Sequence, residues 1–413
     1  MVMWTNTAST PPTIVRFGFL AILTFPLFYF KPALTPIVLT LFLTTSMNSF
    51  SMSFMPASRL FYIIIVLAIV IINYQKQHMR SQIILVALFL TAFLTNLLMG
   101  KSELSAVNDY YFSLLMVFMF PFLIEGDDPQ YPHLFSYAFI LTSLALSLLY
   151  LLFGDQFTGA TDDMERAYWM DPNYWGMVVG MGATAALIEL FFNKNNKILL
   201  TAVLILTIVV SVPTLFLVAS RGAVLSFAIV FVIIIIASKA KKWVKLIAVI
   251  GATVFVVLLY NNGYMDIFLY RVLKEGTLEE GGGRLNVWRT KIHLFLNSNP
   301  IHWIIGFGNE MGTRLGGSQL SGGRYMGFHN DYLAYLVEYG LLGLILFLYW
   351  ILSPLRKATH NRSIVLGVTA YVATCCFTLE PITIGNFPYF AFLFYGYVWS
   401  RSPESVEAKN MIK

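Results

Sequence analysis

Residues 198–238 read ILLTAVLILTIVVSVPTLFLVASRGAVLSFAIVFVIIIIAS, with one charged residue, Arg221, between two long apolar runs. A helix that crosses the hydrocarbon core of a bilayer needs about 20 mostly apolar residues. Each run, 198–219 and 222–238, is close to that length. A membrane barrel would instead alternate apolar and polar residues in segments of about ten. The stretch therefore predicts two consecutive transmembrane helices that meet at Arg221.

Similar apolar runs recur along all 413 residues of the chain, which is 58% hydrophobic and 12% charged. Soluble proteins are about 25% charged, so this composition excludes a soluble globular enzyme and a disordered chain. The predicted spans are 14–30, 33–48, 59–74, 83–100, 110–124, 134–153, 173–192, 198–219, 222–238, 243–260, 331–354, 363–380 and 385–400. Because only Lys31-Pro32 separates the first two, we predict an all-α polytopic membrane protein with 12 or 13 transmembrane helices. Residues 1–413 would form a single integral-membrane domain.

The net charge of +6 lies mostly in the segments between the apolar runs. We interpret it as a signal of membrane orientation and not of nucleic-acid binding, since short loops rich in Lys and Arg stay in the cytoplasm. The clearest such loops surround Lys194, Lys241 and Arg356. Alternating the spans between them places residues 261–330, the one long loop, on the outer side of the membrane.

The long loop contains a predicted amphipathic helix over 285–298. Its apolar residues recur every three or four positions, as on one face of a helix: Leu285, Trp288, Ile292 and Phe295/Leu296. Asn299-Pro300 would end the helix. A helix of this kind is expected to lie on the outer membrane–water interface.

Three basic groups in or beside this loop are candidates for binding an anion. Arg221 stands at membrane depth between small neighbours. Burying a charge there costs free energy, so an arginine at this depth is a candidate functional residue. The alternative is that it anchors the helix at the membrane interface. Arg284, with Arg289 nearby, opens the amphipathic helix, where guanidinium groups and free N–H groups suit a pyrophosphate. The alternative for these two is binding to anionic lipid headgroups.

Polar residues at two span boundaries are the other candidates. His329, with a reference pKa near 6.5, is a candidate base. Asp331 either takes part in the site or, like Asn330, caps the following helix. Asp171, Asn173 and Tyr174 close an outer loop and suit a sugar acceptor, although Asp-Pro-Asn is also an ordinary helix start. No cysteine or histidine spacing suits a metal site, and no nucleotide-binding motif is present.

Taken in order, these motifs resemble the bacterial O-antigen ligase and O-antigen polymerase (Wzy-type) family. The resembling stretches, which extend over about 205–350, are Ser220-Arg221-Gly222-Ala223, Gly283-Arg284-Leu285-Asn286-Val287-Trp288, Pro300 with Gly306-Phe307-Gly308, and His329-Asn330-Asp331-Tyr332 followed by Glu338-Tyr339-Gly340. The resemblance implies a GT-C-like, all-helical membrane glycosyltransferase of the bacterial inner membrane, with a large periplasmic helical loop at 261–330.

The family's donor is a glycan on undecaprenyl pyrophosphate, used at the periplasmic face without a nucleotide sugar, metal or other cofactor. A polymerase transfers the growing chain to the next lipid-linked repeat unit, and a ligase transfers the glycan to lipid A–core. The stretch 171–174 is more similar to polymerases and exopolysaccharide members, so we expect a polymerase, with a ligase as the alternative. A flippase for lipid-linked oligosaccharides is the less favoured alternative.

The resemblance also implies roles for individual residues. Arg221 and Arg284 would bind the pyrophosphate, and Arg289 would do so by proximity. His329 would be the catalytic base of an inverting transfer, with Asp331 and the 171–174 stretch at the acceptor. The implied partners are the lipid-linked oligosaccharide, membrane lipids and, for a polymerase, a chain-length regulator protein.

Overall fold

The fold is known from a computed structural model of the chain. It describes residues 83–98, 131–153, 158–161, 164–167, 172–193, 197–273, 284–308, 319–320, 324–325, 328–358, 361–379 and 387–401. The predicted spans 14–30, 33–48, 59–74 and 110–124 lie outside these residues. The number of spans therefore stays a prediction.

The described residues form twelve helices and two short strand pairs. The helices are α1 Ile83–Leu98, α2 Tyr131–Phe153, α3 Pro172–Phe192, α4 Ile198–Leu217, α5 Arg221–Ala237, α6 Lys242–Asn261, α7 Asp266–Leu273, α8 Arg284–Leu296, α9 Pro300–Ile305, α10 Asp331–Lys357, α11 Arg362–Thr378 and α12 Phe387–Arg401. The antiparallel pairs are β1 Thr158–Thr161 with β2 Met164–Ala167, and β3 Gln319–Leu320 with β4 Arg324–Tyr325. They are small hairpins in connecting segments, and the predicted all-helical membrane fold is confirmed.

All nine predicted spans that fall on described residues are helices. Five of them, α2, α3, α4, α6 and α10, are long and apolar enough to cross a membrane. Helices α5 and α11 are apolar but shorter, at 17 residues each. The boundary between α4 and α5 falls at Ser220, whose side chain caps α5 by accepting a hydrogen bond from the Ala223 amide. The opening stretch is therefore two helices that meet at Arg221, as predicted.

Helix α3 lies at the centre of the described bundle. It packs against α2, α4 and α5, while α5 packs against α11. Its residues are small at the contacts (Ala183, Ala185 and Ala186 are fully buried), and small residues allow close approach of membrane helices. Helix α6 is the opposite case, since only 6% of its span is buried against described residues. Its apolar surface suits contact with lipid.

A polar cluster fixes the C-terminal end of α3. Glu189, which is 1% exposed, lies 2.9 Å from His133 Nδ1 through both of its carboxylate oxygens. The Asn193 side chain donates a further hydrogen bond to Glu189 at 2.9 Å. A buried carboxylate needs such partners, and the cluster joins the start of α2 to the end of α3.

Helix α8, Arg284–Leu296, overlaps the predicted range 285–298, but of the predicted apolar stripe only Phe295 is fully buried. The buried residues are Val287, Lys291 and Phe295, whereas Leu285 and Leu296 are 40% and 58% exposed. Apolar spacing marks the residues that avoid water without distinguishing a protein neighbour from a lipid neighbour. The sequence therefore did not show that a lysine belongs to the buried face.

The loop segment after α9 is docked into a kink of α10. Gly340 has φ 69° and ψ −168°, which interrupts α10, and Gly306 has φ 79°. The Phe307 and Gly308 amides donate to the carbonyls of Val337 and Glu338 at 3.0 and 2.8 Å. A side chain on Gly306 would collide with the Glu338 backbone, and one on Gly340 with the Ile304 carbonyl. Two separate motifs of the sequence thus form one joint between loop and membrane helix.

Candidate functional site

The C-terminal end of α11 brings the candidate residues together. Arg284 Nη1 donates a hydrogen bond to the Thr378 carbonyl at 2.8 Å. The Asp331 amide donates to the Leu379 carbonyl at 3.2 Å. Gly222, next to Arg221, approaches the Thr378 side chain so closely that no Cβ would fit. Segments near residues 221, 284 and 331, far apart in sequence, therefore meet at one helix end.

Arg221 is half-buried and linked to a second arginine. Its Nη1 donates to the Arg271 carbonyl at 3.4 Å, and Arg271 Nη1 donates to the Ala219 carbonyl. Arg271 on α7 is only 8% exposed. Ala219 has φ 50°, a left-handed conformation that costs a non-glycine residue about 1–2 kcal/mol. Arg271 thus stabilises the turn that presents Arg221, a role the sequence did not indicate.

Arg221 and Arg284 are each the first residue of a helix, α5 and α8. A cation at a helix N-terminus is unfavourable beside the positive end of the helix dipole. A bound anion would reverse this, because N-terminal N–H groups and guanidinium donors both stabilise negative charge. A guanidinium has five donors, so the Arg284 bond to Thr378 is compatible with phosphate binding. The arrangement suits an anionic group.

His329 lies between α8 and the start of α10 in a strained backbone conformation, with φ 48°. Its Nδ1 atom is buried and has no hydrogen-bond partner among the described residues. Burial, together with the smaller effects of the Arg284 and Lys291 charges, lowers its pKa to about 4. Strain and an unused polar atom at one residue indicate a functional role. With such a pKa the ring is neutral near pH 7 and able to accept a proton.

The residues around His329 are held mainly by α8. The Trp288 indole donates to the Phe328 carbonyl at 2.6 Å. The Lys291 ammonium group lies 4.2 Å from the centre of the Phe328 ring, and Phe295 shares a buried cluster with Phe328. Because Phe328 precedes His329 directly, these contacts fix the position of the histidine.

Arg289 does not lie with the other predicted cations. Its side chain is exposed. At about 100° per residue, Arg289 is about 140° around the helix from Arg284, whereas Lys291 is within about 20°. The pyrophosphate role of Arg289 stays a prediction, and Lys291 is the basic residue of α8 that the structure places near Arg284 and His329.

The predicted acceptor residues are partly described. Asn173 and Tyr174 are half-buried at the start of α3, and the Asn173 carbonyl is 3.5 Å from Ser220 Oγ, beside Arg221. Asp331 is fully buried at the start of α10 and contacts Cys376. Asp171 lies outside the described residues. The start of α3 is therefore adjacent to the turn that carries Arg221, and the acceptor role of these residues stays a prediction.

Capping explains one residue of the His329 stretch. The Asn330 side chain accepts a hydrogen bond from the Leu333 amide at 3.1 Å and caps α10. Asp331, in the first turn, is favoured there by the helix dipole. The capping alternative therefore holds for Asn330, and it leaves His329 without such a local explanation.

The helices define a multi-pass membrane protein, and the basic, histidine-containing cluster at a helix end is a candidate site for an anion. Residues 206–348, about a third of the chain, match the family model Wzy_C, described as O-Antigen ligase. This confirms the resemblance to the O-antigen ligase and polymerase family over that segment, which includes Arg221, Arg284 and His329. No curated protein matches the chain.

Proposed function

We propose that the protein is an O-antigen or exopolysaccharide polymerase that uses a glycan on undecaprenyl pyrophosphate as donor. The observation that carries the proposal is that the chain segments containing Arg221, Arg284 and His329 meet at the end of α11. The first two suit a pyrophosphate, and the third suits a base that is neutral near pH 7. Membrane spans next to this site suit the long apolar tail of the donor.

The transfer follows from these groups. An acceptor hydroxyl attacks the anomeric carbon of the donor sugar and gives its proton to His329. The bond between that carbon and the pyrophosphate oxygen breaks, and undecaprenyl pyrophosphate leaves with the bonding electrons. Arg221 and Arg284 stabilise the charge on the leaving group. A single displacement of this kind inverts the anomeric centre and needs no nucleotide.

A ligase is the second candidate, since the matching family model is described as O-Antigen ligase. The two differ in acceptor, which is a lipid-linked repeat unit for a polymerase and lipid A–core for a ligase. The stretch 171–174 carries the preference for a polymerase, and in that case a chain-length regulator is the expected protein partner.

The acceptor is tested by giving the purified protein, in phospholipid vesicles, lipid-linked repeat units with and without lipid A–core. A polymerase produces a ladder of glycan lengths from the repeat units alone. A product that forms only when lipid A–core is present would replace the polymerase by the ligase. Absence of both products would contradict the proposed reaction.

We further propose that the protein lies in the bacterial inner membrane with residues 261–330 in the periplasm. A cysteine at the exposed residue Thr290 should then react with an impermeant thiol reagent in spheroplasts. A cysteine at Lys241, in the opposite loop, should react only after lysis. The native Cys375 and Cys376 are fully buried, so their background is low. The reverse pattern would invert the topology and remove the site from the periplasm.

A further inference from the structure

Lys291 is a buried cation that the sequence did not single out. Its side chain is 3% exposed, although lysine is rarely buried to this degree. It is held on the same face of α8 as Arg284, about two turns further along. Its ammonium group packs over the ring of Phe328 at 4.2 Å, an arrangement in which the electron-rich face of the ring attracts the cation.

We propose that Lys291 is a positioning residue of the donor site, which places a second positive charge beside His329 and draws the donor pyrophosphate towards that histidine. This rests on the proposed function and extends it to a residue outside the arginine motifs. The Lys291 ammonium group contacts Phe328, the residue before His329, and the charges of Lys291 and Arg284, on one face of α8, both act on that histidine. A phosphate group attracted by both would therefore sit beside the base that deprotonates the acceptor.

The consequence for His329 follows from charge. Without donor, the positive charges of Arg284 and Lys291 oppose protonation of the ring. A bound pyrophosphate, with its negative charge, counters both, so the histidine becomes a stronger base when the donor is present. The Lys291 charge therefore makes His329 a weaker base when the site is empty. Binding of the donor pyrophosphate makes the same histidine a stronger base.

Other titratable groups near His329 come from the elements that pack around it. Asp331 is two residues away, but its carboxylate interacts with the Cys376 thiol of α11. Tyr332 donates its hydroxyl to the Ala373 carbonyl at 3.0 Å. On α9, His302 Nδ1 is 3.0 Å from the Gly306 carbonyl. Among the described residues, the charges that act on His329 are those of Arg284 and Lys291 on α8.

The first test is direct binding of undecaprenyl pyrophosphate to the purified protein. Loss of a positive charge that attracts the pyrophosphate is expected to weaken binding about 10- to 100-fold in Lys291→Met, whereas Lys291→Arg should stay within about threefold. Methionine suits the buried position because apolar residues of similar volume often replace buried charges without loss of stability. Lys242→Met, the same change in the exposed Lys242, is the control and should bind like the wild type.

The second test is the pH profile of glycan transfer. Removing the Lys291 charge lowers the cost of protonating His329, so its pKa rises from about 4. The acid limb of kcat/KM, which reports the free enzyme, should move to higher pH in Lys291→Met and return in Lys291→Arg. A purely structural role would reduce activity without moving this limb.

The outcomes separate this proposal from the proposed function. A wild-type protein that does not bind undecaprenyl pyrophosphate contradicts the proposed function. A wild type that binds, with Lys291→Met binding equally well and showing an unmoved acid limb, contradicts the role of Lys291 alone. Weaker binding in Arg289→Met but not in Lys291→Met would assign the second α8 charge to Arg289 instead.

Discussion

His329→Ala is expected to lower glycan transfer by about 100- to 10,000-fold, the usual contribution of a positioned general base. The histidine is buried next to two cations and has an unused Nδ1 atom, so its loss removes the proton acceptor without removing a structural hydrogen bond at that atom. The measurement is the initial rate of polymer formation by the purified variant, alongside its thermal unfolding in detergent.

His293→Ala is the matched control, since His293 is an exposed histidine of α8 that contacts Asn297. It should transfer glycan at close to the wild-type rate. His329→Gln separates the roles of the base, because glutamine can hydrogen-bond but does not take up a proton near neutral pH. Wild-type activity in His329→Gln would show that His329 only orients the acceptor, and full activity in His329→Ala would remove it from the mechanism.

Arg284→Ala is expected to reduce transfer by about 100- to 1,000-fold, comparable to removing one donor that stabilises charge in a transition state. Arg284→Lys should recover little of this, because lysine keeps the charge but lacks the planar fork that holds a phosphate through two hydrogen bonds. Arg221→Ala and Arg221→Lys should behave alike. The measurements are kcat and KM for the lipid-linked donor.

Two controls are needed to interpret the loss of transfer in these variants. Arg356→Ala changes an exposed arginine at the other end of α10 and should leave kcat and KM near wild type. Because Arg284 also donates to the Thr378 carbonyl, thermal unfolding of the variants distinguishes loss of donor binding from loss of folding. Wild-type kinetics in both Arg284→Ala and Arg221→Ala would leave lipid anchoring as their role.

Much of the membrane architecture could be predicted because a long apolar run in a membrane protein is explained mainly by one requirement, that of crossing the bilayer. A helix must satisfy its own backbone groups in lipid, so uninterrupted apolar runs such as 198–219 become helices. Hydropathy carries no comparable information on how spans pack. It does not show that Gly340 interrupts α10 to accept the backbone of Gly306, since that joint depends on residues 34 positions apart.

The candidate site was predictable in part. Arg221, Arg284 and His329 follow from charges at span and helix boundaries, and from the order of their motifs. Lys291 and Arg271 were not predictable in this way, because each is a basic residue in a loop rich in basic residues. Only the turn of α8 places Lys291 on the face of Arg284, and only the fold brings Arg271 to the Ala219 carbonyl. Leu285 shows the converse case, because it belongs to the predicted apolar stripe and yet is 40% exposed.

The central claim is that this protein breaks the bond between a sugar and undecaprenyl pyrophosphate and passes the sugar to a hydroxyl. Its most direct test is to follow undecaprenyl pyrophosphate and glycosidic bonds together, using purified wild-type protein, lipid-linked repeat units and no nucleotide sugar. We expect one molecule of undecaprenyl pyrophosphate for each new glycosidic bond, with the opposite anomeric configuration at the bond formed. Movement of the intact lipid-linked glycan across the vesicle membrane, with no release of undecaprenyl pyrophosphate, would contradict the account and favour a flippase.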